Sequence, residues 1–125
     1  MPMKKKILLV NEDPAVRRML FRVLTGEGYM VVMAEPEMEP LRSALATDVD
    51  LALLDIDVGD EGGWHQVETL ARENTALPVV VLSDRPDLLA KPAHVSAVLE
   101  KPLDVPRLLR TIEELIFASS GVHAP

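Results

Sequence analysis

Cysteine is absent from this chain, which excludes a disulfide framework, a thiolate nucleophile and a cysteine-bound zinc. Aromatic residues make up only 3% of the 125 residues, so Leu, Val, Ile and Ala must pack the core. No stretch reaches the roughly 20 consecutive apolar residues of a membrane-spanning helix. Lys4, Lys5 and Lys6 precede an apolar run, but that run, Ile7 to Val10, stops at Asn11. It is well short of the roughly 7–15 apolar residues of a secretory signal. Positive charge is in deficit, with a formal net charge of −7. That balance argues against nucleic acid or a membrane surface as the main partner. A soluble cytoplasmic protein is expected.

Hydrophobic residues at 48% and charged residues at 26% suit one globular unit with one core. We expect a single domain over residues 1–125, with a core at about 4–118 and a tail at 119–125. There is no internal repeat, linker or low-complexity block.

The run Asp50-Leu51-Ala52-Leu53-Leu54-Asp55-Ile56-Asp57 organises the rest. Four apolar residues between acids are too few for an ordinary buried helix and fit a strand buried on both faces. Ahead of it, Ile7 to Val10 predicts a first strand. Asp13-Pro14 follows as an N-cap with proline at the first helical position. Val16, Met19, Leu20, Val23 and Leu24 give that helix its apolar face, and Gly26 and Gly28 close it. Tyr29 to Ala34 predicts the second strand, and a short helix is expected from Pro40 to Thr47.

Beyond the organising strand come a turn at Gly59-Asp60-Glu61-Gly62-Gly63 and a weak helical face at Trp64, Val67, Leu70 and Ala71. Pro78 to Leu82 predicts the fourth strand and Val95 to Leu99 the fifth. Between them Pro86 and Pro92 limit any helix to a turn or two. Asp104 caps a last helix whose apolar face is Val105, Leu108, Leu109, Ile112, Leu115 and Ile116. Such alternation implies an α/β fold, with a parallel sheet, helices on both faces and right-handed crossovers.

In such sheets ligands bind at the carboxyl ends of the strands. Asp55, Ser83 and Lys101 fall at three of those ends, and Asn11, Glu12 and Asp13 follow the first strand. As a set they suit phosphoryl chemistry. A carboxylate can attack phosphorus and form an acyl phosphate. Carboxylate oxygens suit Mg²⁺, which offsets the gathered negative charge. A hydroxyl and an ammonium can hold the remaining phosphoryl oxygens.

The segments Ile7-Leu8-Leu9-Val10-Asn11-Glu12-Asp13-Pro14, Leu53-Leu54-Asp55, Pro78-Val79-Val80-Val81-Leu82-Ser83 and Lys101-Pro102 resemble the receiver domain of two-component response regulators. The resemblance implies a flavodoxin-like, doubly wound, five-stranded parallel sheet in the order 2-1-3-4-5. It also implies that Asp55 accepts a phosphoryl group from a histidine kinase or phosphotransfer protein. Mg²⁺ would then be held by Glu12, Asp55 and Asp57, the last through its backbone carbonyl or side chain, with a weak contribution from Asn11. Ser83 and Lys101 would sense the phosphoryl group. A downstream protein target or an output domain would read the change, and a homodimer is compatible with it.

The departures from the family are specific. Two acids usually follow the first strand, and here the pair is Asn11-Glu12, one charge fewer and one methylene longer. Mg²⁺ is therefore expected to bind weakly, with Asp57 restoring some charge. Gly59 and Gly62 replace a common proline and a common acid, which loosens that loop. Val98 stands where the family has a tyrosine or phenylalanine that rotates on phosphorylation. The stretch from Ser83 to Lys101 is short, so the family's fourth helix is reduced. Asp57 and Arg85 flank the acceptor and are expected either to pair across its mouth or to be two solvated charges.

Two other functions share these residues. A pseudo-receiver would bind partners without phosphorylation, a reading that Asn11, Val98 and the shortened fourth-helix region favour. A phosphatase of the haloacid-dehalogenase type would use Asp55-Ile56-Asp57 as its nucleophile motif. Its acids, however, usually follow the lysine, and this chain has little room for a substrate cap. A phosphoacceptor module that is not an enzyme is the expectation carried forward. Trp64 and His65 read as a packing residue and a surface histidine, and His94 and His123 have no metal-ligand spacing.

Overall fold

The computed structural model describes residues 4–11, 13–34, 48–55, 72, 76–84 and 95–119. Strand β1 is Lys6–Val10, helix α1 Pro14–Gly26, β2 Met30–Ala34, β3 Leu51–Asp55, β4 Val79–Ser83, β5 Ala97–Glu100 and helix α2 Val105–Ser119. The strands form one sheet in the order β2-β1-β3-β4-β5, and every neighbouring pair is parallel. This is the order the receiver resemblance implied. All five strands therefore point their carboxyl ends to the same edge.

The central strands β1, β3 and β4 are near-continuous aliphatic runs because both of their faces are covered. One face gathers Ile7, Leu9, Leu51, Leu53, Val80, Leu82 and Leu99 with Leu20 and Leu24 of α1 and Leu108, Ile112 and Ile116 of α2. The other gathers Leu8, Val10, Ala52, Leu54, Leu77, Val79, Val81 and Val95. Both described helices lie on the first face. The expected helices at Pro40 to Thr47 and Trp64 to Ala71, the segment from Arg85 to His94 and the tail beyond Ser119 lie outside the described residues. The expected reduction of the fourth helix and the helices expected on the other face concern those same residues.

Helix α1 starts as its sequence dictates. Asp13 has extended backbone and its side chain accepts from the Ala15 N–H at 2.9 Å, with Pro14 opening the helix. Residue Gly28 follows its end at φ +93°, a left-handed geometry that costs glycine little. Leu20 and Leu24 are fully buried, while Met19 is 37% exposed. Met19 precedes Leu20 and so lies about 100° round the helix from it, at the rim of the apolar face. Asp104 caps α2 by accepting from the Arg107 N–H at 3.1 Å.

Strand limits differ from the sequence reading by a residue or two. Pro78 has no N–H and stands before β4, although its carbonyl accepts from Ala52 at 2.9 Å. Residue Ser96 uses its hydroxyl to accept from the Val79 N–H at 3.2 Å, and β5 begins only at Ala97. At the other end β5 runs on to Glu100. Asp50 precedes β3, and its carboxylate accepts from the Lys6 N–H at 2.8 Å, tying the starts of β1 and β3 together. Val98 is half-buried beside β4, level with Val81, and packs against the second cluster.

Candidate functional site at the carboxyl edge of the sheet

Register brings the site together. Val10 lies level with Leu54, so one step further Asn11 comes level with Asp55. Asp55 lies level with Leu82, and Leu82 with Leu99. Ser83 is then the last residue of β4, and Lys101 follows β5 directly. The Lys101 N–H donates to the Ser83 carbonyl at 2.9 Å, which continues the ladder past the end of β5.

Asp55 is the centre of the described contacts. Lys101 Nζ forms an ion pair with its Oδ1 at 2.5 Å. Two strand spacings, about 10 Å, separate β5 from β3, so only a long side chain arriving obliquely makes this contact. The Asn11 amide Nδ2 donates to the other oxygen, Oδ2, at 2.9 Å. Each carboxylate oxygen thus has a donor from a different strand end. The Asp55 side chain is 9% exposed, so those donors replace water that the carboxylate has largely lost.

Asn11 is itself held firmly. It is 2% exposed, and its Oδ1 accepts from the Asp13 N–H at 2.8 Å. The Arg17 guanidinium of α1 donates to its backbone carbonyl at 3.3 Å. The two side-chain bonds fix the amide's orientation, oxygen to Asp13 and nitrogen to Asp55. Asn11 therefore presents its Nδ2 donor to the Asp55 carboxylate and turns its oxygen to Asp13.

Of the other expected ligands, Glu12 and Asp57 lie outside the described residues, as does Arg85. Among the described residues no three acidic or histidine side chains gather to hold a metal ion. Asp55 supplies the hard oxygen that suits Mg²⁺. Ser83 is fully buried and stands one residue beyond Leu82, the neighbour of Asp55. An open recess of about 390 Å³ borders the site, lined by Glu100, Lys101, Pro102, Leu103, Asp104 and Arg107 among others. The Lys101–Pro102 peptide along its wall is cis. Two bracing groups, the Asp13 N–H and Arg17, add to the residues expected from the sequence. The Asn-x-Asp spacing after a strand was the available signal for the first, since asparagine readily accepts from the N–H two residues on. Arg17 lies six residues from Asn11 and carried no sequence signal.

Comparison with known proteins decides the family. The family model described as response regulator receiver domain matches residues 7–113. This chain is a response regulator receiver domain. It is 31% identical over 118 residues to the transcriptional regulatory protein GlrR of Escherichia coli K12, covering 91% of this chain and 27% of GlrR. With the KDP operon transcriptional regulatory protein KdpE of the same organism it shares 32% identity over 123 residues, covering 95% of this chain and 54% of KdpE. The receiver thus spans between a quarter and about half of these relatives' lengths. Its fold is also that of the response regulator TrrA from Thermotoga maritima in complex with Mg(2+)-BeF, with a TM-score of 0.75 at 22% identity. That alignment covers 89% of this receiver and 98% of TrrA.

Proposed function

We propose that this receiver domain takes a phosphoryl group onto Asp55 from a phosphohistidine of a histidine kinase or phosphotransfer protein. One Asp55 oxygen attacks phosphorus, the P–N bond breaks, and the imidazole leaves with the electron pair. The product is an acyl phosphate. The meeting of Asp55 at the end of β3 with Lys101 just past β5 carries this reading, because it sets an ammonium beside the carboxylate that must receive a dianionic group. Lys101 Nζ and the Ser83 hydroxyl are the donors for the phosphoryl oxygens.

Mg²⁺ would be held by Asp55, Glu12 and Asp57, where it offsets negative charge gathered in the transfer. The complex named for TrrA, with Mg(2+)-BeF, supports this for the family. Ser83 and Lys101 then report the bound group to a downstream protein or output domain. The greater lengths of GlrR and KdpE support an output segment, and a homodimer is a compatible end point. Among the described residues no helix is long and apolar enough to cross a membrane, in keeping with action in the cytoplasm.

Acetyl phosphate with Mg²⁺ tests the assignment by intact-protein mass. One added phosphoryl group, lost in Asp55→Asn, is the expected outcome. Mass addition that survives Asp55→Asn, or none in the unaltered protein, overturns it and leaves a binding domain that works without phosphorylation.

A further inference from the structure

Three features outside the proposed chemistry stand out: the exposed Phe117 beside Arg110 and Glu113, the recess beside Lys101, and the amide of Asn11. The first two have nothing on them to name an occupant. The third has a defined geometry. A carboxylate at this position would face Asp55 with like charge and take away the donor that Asn11 gives to Asp55 Oδ2. Two such carboxylates repel, and a divalent cation relieves the repulsion. Asn11 instead donates to Asp55 Oδ2 at 2.9 Å, while its own oxygen is occupied by the Asp13 N–H. It is 2% exposed, so the amide cannot turn out to solvent without leaving buried groups unpaired.

We propose that Asn11 is a positioning residue that does the cation's resting work. It holds the acceptor carboxylate in place before any metal arrives, with Lys101 closing the other oxygen. A cation reaching Asp55 must then displace or share this hydrogen bond, and with Asn11 neutral it has one carboxylate fewer whose repulsion it could relieve. The site is ordered when empty, and its dependence on divalent cation is shallow. This rests on Asp55 being the phosphoryl acceptor only where transfer is measured; the cation behaviour stands apart from it.

The test compares the unaltered chain with Asn11→Asp and Asn11→Ala. Mg²⁺ titrations are followed by calorimetry and by thermal melting in chelator or millimolar Mg²⁺. Asn11→Asp should bind Mg²⁺ at least tenfold more tightly than the unaltered chain. It should melt lower in chelator and recover with Mg²⁺, while the unaltered chain's Tm hardly moves. Asn11→Ala should lose stability without gaining Mg²⁺ affinity. Equal Mg²⁺ affinity and equal Mg²⁺-induced Tm shifts for Asn11→Asp and the unaltered chain would overturn the proposal. A lower Tm in Asn11→Asp that Mg²⁺ does not restore does the same, since that is what a merely structural asparagine gives.

Phosphorylation by acetyl phosphate across the same Mg²⁺ series supplies the second readout. In that reaction Asp55 oxygen bonds to phosphorus, and acetate leaves with the electrons of the broken P–O bond. The unaltered chain should keep a larger share of its rate at low Mg²⁺ than Asn11→Asp, and identical Mg²⁺ curves overturn the proposal. If no phosphoryl mass forms in either protein while the binding differences hold, the acceptor reading fails and the positioning role stands.

Discussion

Lys101 earns its place in the site through reach. Its ammonium contacts Asp55 from two strands away, and at 33% exposure the side chain remains partly solvated. The pair is therefore neither a surface ion pair of negligible worth nor a fully desolvated one. Lys101→Ala leaves Asp55 Oδ2 bonded to Asn11, so the fold should survive. Transfer should not. A hydrogen bond from a charged donor is worth about 1.5–3 kcal/mol, which corresponds to about tenfold or more in rate. Phosphoryl mass from acetyl phosphate should therefore accumulate about tenfold or more slowly in Lys101→Ala, with a modestly lower urea midpoint because the largely buried Asp55 Oδ1 loses a charged donor. An unaltered rate would mean that the ammonium touches the acceptor at rest but not the group in transfer.

The elements that carry these residues depend on local signals of different strength. Asp13 is the N-cap of α1 through its side chain, while its backbone N–H holds Asn11. Asp13→Ala removes the first and keeps the second. It should cost about 1 kcal/mol of stability, seen as a lower urea midpoint at unchanged slope, and phosphorylation should persist. Caps, aliphatic strands and the apolar faces of α1 and α2 were all legible, because each is set by residues a few positions apart. Strand ends were less so: Pro78 and Ser96 show that a strand stops where its neighbour's hydrogen bonds stop. In the sequence Asn11 is only a missing charge, because its role as a donor exists only once register sets β1 beside β3. The contact of Lys101 with Asp55, 46 positions apart in sequence, was anticipated from the family's pattern and not from any local spacing.

At the scale of the whole molecule, Tyr29, between the end of α1 and the start of β2, comes under the charge of Glu113 on α2. It packs against the first cluster, beside which α2 presents Leu108, Ile112 and Ile116. Burial raises its hydroxyl pKa above the ordinary 10.0, and Glu113 of α2 and then Glu27 raise it further. Between the unfolded value and the raised folded value, the native state holds a proton that the unfolded state has lost. Stability must then fall as pH rises through that window, while below pH 10 the contribution is fully present. Lysines lose their charge in the same range, so the comparison has to be made against Tyr29→Phe. Urea denaturation from pH 8 to 11.5 should show the unaltered chain losing stability faster than Tyr29→Phe above about pH 10. Parallel curves would show that Tyr29 titrates alike in both states. Salt separates the causes: 1 M salt screens Glu113 and Glu27 but leaves burial untouched. Because burial is the larger cause, the difference between the two proteins should shrink in salt and still persist.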